Sequence, residues 1–205
     1  MTEQPIHKAA MSGDITALKA ELAKGVDVDH RGRGDWTPLI NAVRFKQLEA
    51  AKFLIEHKAD VDRLDVFQSS ALHHACVKGF EEIGALLLDN GADINKRNNV
   101  KFTPLMKAAR ANKPAVAKLL LERKADPDAA ISNGETALDI AKEEKFDEIV
   151  ALLQSASSAT ASSSPAKTPT DKADSKTDSA SSASKAAEPS AQQALIEQER
   201  KQLLD

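Results

Sequence analysis

His73, His74 and Cys76 stand almost side by side in the chain, and these residue types act as nucleophile, base or metal ligand. A catalytic thiol, however, needs a base and an orienting group brought to it, and a metal needs a third and fourth ligand at useful spacing. The surrounding sequence supplies neither, and no glycine-rich phosphate loop occurs anywhere. Catalysis is therefore not expected, and neither is a cofactor or a metal. A second group of residues is suited to binding instead. Trp36, Phe45, Phe67 and Phe102 are interleaved with Arg31, Arg33, Arg44, Arg97 and Arg110, and large aromatics with arginines dominate binding energy at protein interfaces.

The elements that must position these residues are written most clearly in Thr103 to Asp128. Thr-Pro starts a helix, with a hydroxyl to cap free amides and a ring whose fixed φ suits the first helical position. Leu105, Ala108 and Ala109 mark one face of that helix. Asn112-Lys113-Pro114 breaks the run before a second apolar set, Val116, Ala117, Leu119, Leu120 and Leu121. Two short antiparallel helices result, too short to be stable alone and unable to cover both of their apolar sides, so the unit needs neighbours of its own kind. Those neighbours recur every 33 residues: Thr37, Ser70, Thr103 and Thr136 keep one register, Leu39, Leu72, Leu105 and Leu138 another, and Ala9, Ala42, Ala75, Ala108 and Ala141 a third. Gly25, Lys58, Gly91 and Lys124 begin the words GVDVD, KADVD, GADIN and KADPD at the same spacing.

This period and these words resemble the ankyrin repeat, over roughly Gln4 to Leu153. The resemblance implies an all-α fold: a solenoid of five helix-turn-helix units joined by β-hairpin-like tips, followed by a disordered tail. The repeat domain is placed at 1–154, with units at about 4–34, 35–67, 68–100, 101–133 and 134–154. In such a family His73 holds the place of a structural, hydrogen-bonding histidine, and Cys76 falls in a small-residue column with Val43 and Ala109. Glu21 takes the place of Leu54, Leu87, Leu120 and Leu153 and is expected to face water at the end of the stack. Two departures stand out. Asp35, Gln68 and Lys101 replace the usual tip glycine, so those tips are expected to be reshaped. Lys46 and Lys145 replace the glycine between helices, which makes the second and fifth units the expected weak ones.

The resemblance also implies a concave surface made of the tips and the exposed side of the first helices. Carried over unit by unit, it selects Arg31, Arg33, Trp36, Arg44, Phe45, Leu64, Val66, Phe67, Lys78, Arg97, Asn99, Val100, Phe102 and Arg110 as the protein-binding set. The expected partner is another protein, through a segment both acidic and apolar, because arginines pair with carboxylates while aromatic faces cover side chains. Glu135, Glu143 and Glu144 make the face run from basic to acidic. The simpler account of Trp36 and Phe102 is that they pack sideways on adjacent tips and stiffen them. The leading function is thus a non-catalytic interaction module, an adaptor or scaffold. Alternatives are phosphate or nucleic-acid binding through His30, Arg31, Arg33, Arg63, Lys96, Arg97 and Lys101, and a protein inhibitor of an enzyme. Nucleic acid is not favoured, since Asp27, Asp29, Asp60, Asp62, Asp65 and Asp93 share the same tips.

A net charge of −3 gives no reason to invoke an anionic membrane. No long apolar run and no apolar signal core are visible, so a cytoplasmic location, or a nuclear one, is expected. One cysteine excludes an intramolecular disulfide and fits a reducing compartment. A monomer is expected. From Ser155 the composition turns to Ser, Ala, Thr, Lys, Asp and Pro, which predicts a disordered linker over 155–189. Ser164 and Thr168 precede prolines and offer phosphorylation sites, the plainer account being a solvated spacer. Residues 190–205 regain the pattern of a short amphipathic helix, able to form fully only on docking.

Overall fold

The computed structural model describes residues 4–161, with side chains up to Ser157. The linker beyond 161, the 190–205 segment, Ser164 and Thr168 lie outside the described residues. Among the described residues ten α-helices follow one another in pairs: α1 (Pro5–Ser12) and α2 (Ile15–Ala23), α3 (Pro38–Arg44) and α4 (Leu48–Glu56), α5 (Ala71–Lys78) and α6 (Glu81–Asp89), α7 (Pro104–Arg110) and α8 (Pro114–Glu122), α9 (Ala137–Glu143) and α10 (Asp147–Ala161). The Thr-Pro starts act as expected, with the Thr37 hydroxyl accepting from the Ile40 amide and that of Thr103 from the Met106 amide. Apart from α10, each helix is seven to nine residues long, too short to persist without tertiary packing.

Stacking supplies that packing. The first helices α1, α3, α5, α7 and α9 pack in one ladder, and α2, α4, α6 and α8 in another. Contact is closer along the first ladder. The 33-residue columns are the core: Ala42, Ala75, Ala108 and Ala141 are fully buried, as are Leu54, Leu87, Leu120 and Leu153. Glu21 departs from expectation, for it too is buried, with its carboxylate accepting from Lys24 Nζ at 2.6 Å. Its methylene stem fills the leucine place while its head reaches a cation at the edge.

The tip of the second unit alone is reshaped, with Arg33–Asp35 wound into a 3-10 turn and Gly34 also left-handed at φ 70°. Asp35, Gln68 and Lys101 take φ of 56°, 57° and 66°, alongside Gly134 at 89°. The tips share one closing bond, with the Gly32, Asp65, Asn98 and Ile131 amides donating to the carbonyls of Trp36, Ser69, Phe102 and Glu135. Lys46, Asn112 and Lys145 likewise adopt the left-handed conformation of Gly13 and Gly79. The backbone geometry is dictated by the stack, and the non-glycine residues bear the steric cost.

Adjacent units are also tied by a ladder of carboxylate and amide side chains. Asp29 accepts from the Asp60 amide, Asp62 from the Asp93 amide and Asn95 from the Asp126 amide, at 3.0 to 3.3 Å. The repeated DVD, DVD and DIN words are therefore inter-unit ties as well as turns. At the far end α10 continues past Gln154, where the sequence places the end of the array, to Ala161. There the Ser157 hydroxyl donates to Asp128 Oδ1 at 3.4 Å, which occupies the carboxylate that ends the fourth copy of the ladder.

Candidate partner-docking surface

The tips touch one another through their backbones. The Val66 amide donates to the Gly34 carbonyl and the Asn99 amide to the Phe67 carbonyl, which lines up the second, third and fourth units along one edge. Asp65 anchors the middle tip from within, its Oδ1 accepting from the Phe67 and Ser69 amides and its Oδ2 from His74 Nε2 at 2.9 Å. Burial alone would raise this carboxyl, but the bonds from His74, Ser69 and Phe67 prevail and hold it below the usual range.

On this frame sit two arginine-aromatic pairs. The Arg44 guanidinium lies 3.7 Å from the centre of the Trp36 ring, and the Arg110 guanidinium 5.5 Å from the centre of Phe102. Phe102 is also approached by Lys107 Nζ at 5.3 Å. Trp36 Nε1 and Arg44 Nε are both buried without a hydrogen-bond partner. Burial pulls the Arg44 guanidinium below its ordinary value, with Asp65 opposing. In each pair the cation lies against the ring, where the negative face of the aromatic attracts it.

The remaining candidates separate by exposure. Phe45 and Val66 are 47% and 50% exposed, large apolar residues open to solvent. Arg33, Lys78, Arg31 and Arg97 are exposed, though Arg31 pairs with Asp35 at 3.5 Å and Arg97 Nη1 donates to the Ala130 carbonyl at 2.7 Å. Leu64, Phe67 and Asn99 are half-buried. Val100 and Phe102 are buried, at 4% and 2% exposure, so they are withdrawn from the contact set. Phe102 packs under the two cations and stiffens the tip, as the simpler account of that residue holds.

The possible nucleophile is inert. His73 is buried, its Nδ1 accepting from the Ser70 amide at 3.1 Å and its Nε2 donating to the Phe102 carbonyl at 3.1 Å. Burial lowers its pKa to about 3. Cys76 is fully buried and its thiol is pushed up by desolvation, the opposite of an activated thiolate. Among the described residues no group of His, Cys, Asp or Glu is placed to hold a metal ion, and no helix is long and apolar enough to cross a membrane.

Two models of known repeats match the sequence. One, ankyrin repeats in three copies, spans residues 6–98, and another, ankyrin repeats in many copies, spans 87–141. The chain belongs to the ankyrin repeat family. Among curated relatives, the putative ankyrin repeat protein YahD of Escherichia coli K12 is 29% identical over 184 residues, covering 71% of this chain and 92% of its own. The E3 ubiquitin-protein ligase hecd-1 of Caenorhabditis elegans is 36% identical over 141 residues, covering 68% of this chain and 5% of its own. The ankyrin repeat, SAM and basic leucine zipper domain-containing protein 1 of Dasypus novemcinctus is 34% identical over 119 residues, covering 56% of this chain and 25% of its own. The chain thus spans most of the first relative and a minor part of the other two. Ankyrin repeats are in general protein-protein interaction modules without catalytic activity.

Within the ankyrin array, sequence reasoning names Asp65 and His74 but misses that they bond to each other and anchor a tip, and it misses Val77. Asp65 was counted among acids that weaken a basic field, whereas it is the buried anchor of a tip. Val77 holds the place of Arg44 and Arg110 in the unit between them, and the 33-residue register was a sufficient signal to find it.

Proposed function

We propose that the ankyrin array is a non-catalytic docking module, an adaptor or scaffold that receives a segment of another protein on the inner face made by tips and first helices. It acts as a monomer, in the cytoplasm or the nucleus. The observation that carries the proposal is the exposure of Phe45 and Val66, at the end of the first helix of the second unit and in the tip that closes that unit, together with the Arg44–Trp36 stack of the same unit. Large apolar groups left in water beside an arginine edge are costly unless they serve a contact. The nucleic-acid alternative is weakened by the pairing of tip cations: Arg63 lies 3.4 Å from Asp60 and 3.7 Å from Asp29, and Arg31 is paired with Asp35. Inhibition of an enzyme would use the same face and differ only in consequence.

The test compares affinity capture by the parent chain with capture by Phe45→Ser/Val66→Ser, each followed by mass spectrometry. Proteins lost from the double variant, with an unchanged thermal melt, support the proposal. Identical capture by both chains refutes it.

A further inference from the structure

Arg44 and Arg110 occupy the same place in the second and fourth units, twice the 33-residue period apart, and Trp36 and Phe102 repeat that relation beneath them. Between the two, Val77 fills the equivalent place with a half-buried apolar side chain. Neither guanidinium has a hydrogen-bond or ion-pair partner among the described residues, and Arg44 Nε is a buried orphan adjoining the orphan Trp36 Nε1. Arg44 and Arg110 are only half-buried, and a carboxylate brings two oxygens with several acceptor positions to meet the accessible nitrogens of each guanidinium. The surface is therefore built as cation, apolar step, cation.

Geometry sets the spacing that would satisfy it. Neighbouring packed helices lie about 8–10 Å apart, so two steps along α3, α5 and α7 separate the arginines by about 16–20 Å. An extended chain advances about 3.3 Å per residue, and that distance corresponds to about five or six residues. Resting on the docking function above, we propose that the array recognises an extended acidic segment bearing two carboxylates about five or six residues apart. One carboxylate meets the Arg44–Trp36 edge, the other meets Arg110, and an apolar side chain between them covers Val77. The fifth unit limits the register, because Glu143, exposed in the same column, repels a third carboxylate.

The test is fluorescence polarisation of labelled synthetic peptides against the full chain. One peptide carries glutamates at positions i and i+6 with valine between; controls have the same composition with glutamates at i and i+2, or glutamine in both places. The expected result is about tenfold tighter binding of the spaced peptide, a loss of about tenfold in Arg44→Met and in Arg110→Met, and weakening with added salt. Methionine keeps an apolar stem over each ring, and thermal melts check that both variants fold. Equal affinity for all spacings, or arginine variants that bind like the parent, overturns the inference. So does displacement of the peptide by a single-stranded oligonucleotide that binds more tightly than it. Selection of a random displayed peptide library on the parent chain separates the two levels. Enriched peptides lacking the acid pair that bind more weakly to Phe45→Ser/Val66→Ser overturn this inference and leave the docking function standing. No enrichment, together with capture indifferent to Phe45 and Val66, defeats both.

Discussion

Acid should unfold this protein through two histidines that the fold keeps neutral. His7 and His73 are both fully buried, with pKa values lowered from 6.5 to about 4 and about 3, chiefly by desolvation. A base whose folded value is depressed favours folding above its unfolded value, and that contribution is lost as pH falls below about 6.5. At pH 5 the unfolded chain binds a proton at each site and the folded chain does not, so each removes roughly 2 kcal/mol. Together that is about 4 kcal/mol, a large share of a typical total of roughly 5–15 kcal/mol. Asp65, held below its ordinary 3.8, loses its contribution only below that value and so leaves this window clear.

The decisive variant is His73→Met. Met106 holds the same place one unit on, its sulfur accepting from the Thr103 amide at 3.5 Å, so methionine has a precedent there. The variant removes one of the two donors to the Phe102 carbonyl, which keeps the Asn98 amide, and should cost about 0.5–1.5 kcal/mol at pH 7. By pH 5 the gap between parent and variant should shrink by about 2 kcal/mol, because only the parent retains the titrating group. Urea melts of both proteins at pH 7, 6 and 5 measure this. A gap that stays constant with pH would refute the buried neutral state of His73.

Other expectations follow from the repeat geometry. Lys58→Gly and Lys124→Gly, at φ of 70° and 66° on exposed positions, should each raise stability by about 0.5 kcal/mol, as relief of left-handed strain outweighs added chain entropy. Gly91→Lys should lower stability by about 1 kcal/mol, both changes being read in urea melts. Asp62→Ala removes the acceptor for the Asp93 amide and should cost about 1 kcal/mol, whereas Asp62→Asn should be nearly neutral because Asn95 does that work in the next unit.

The fold was legible because a stack repeats its instructions. Thr37, Ser70, Thr103 and Thr136 announce helix starts, and the alanine and leucine columns announce the core. What could not be read was where the stack overrides local preference. Gln68 and Lys101 argue against a positive φ, yet tip-to-tip bonds such as Val66 to Gly34 hold the turn in place. Glu21 reads as water-facing because its type is polar, but a long side chain can bury its stem and keep its head at a cation. The candidate surface was legible in part. Phe45 and Val66 stand open as the register implies and Arg44 is half-buried over Trp36, while Phe102 and Val100 are buried, the Asn98 side chain accepting from both of their amides.

Trp36 is the only tryptophan and lies under Arg44 at one end of the proposed face, so its emission reports directly on occupation of that end. Titration of the parent chain with the spaced acidic peptide, or with a partner recovered by capture, should change Trp36 emission saturably, and Arg44→Met should abolish the change. Saturable binding that leaves Trp36 emission untouched would place the partner elsewhere and contradict a docking role for the inner face.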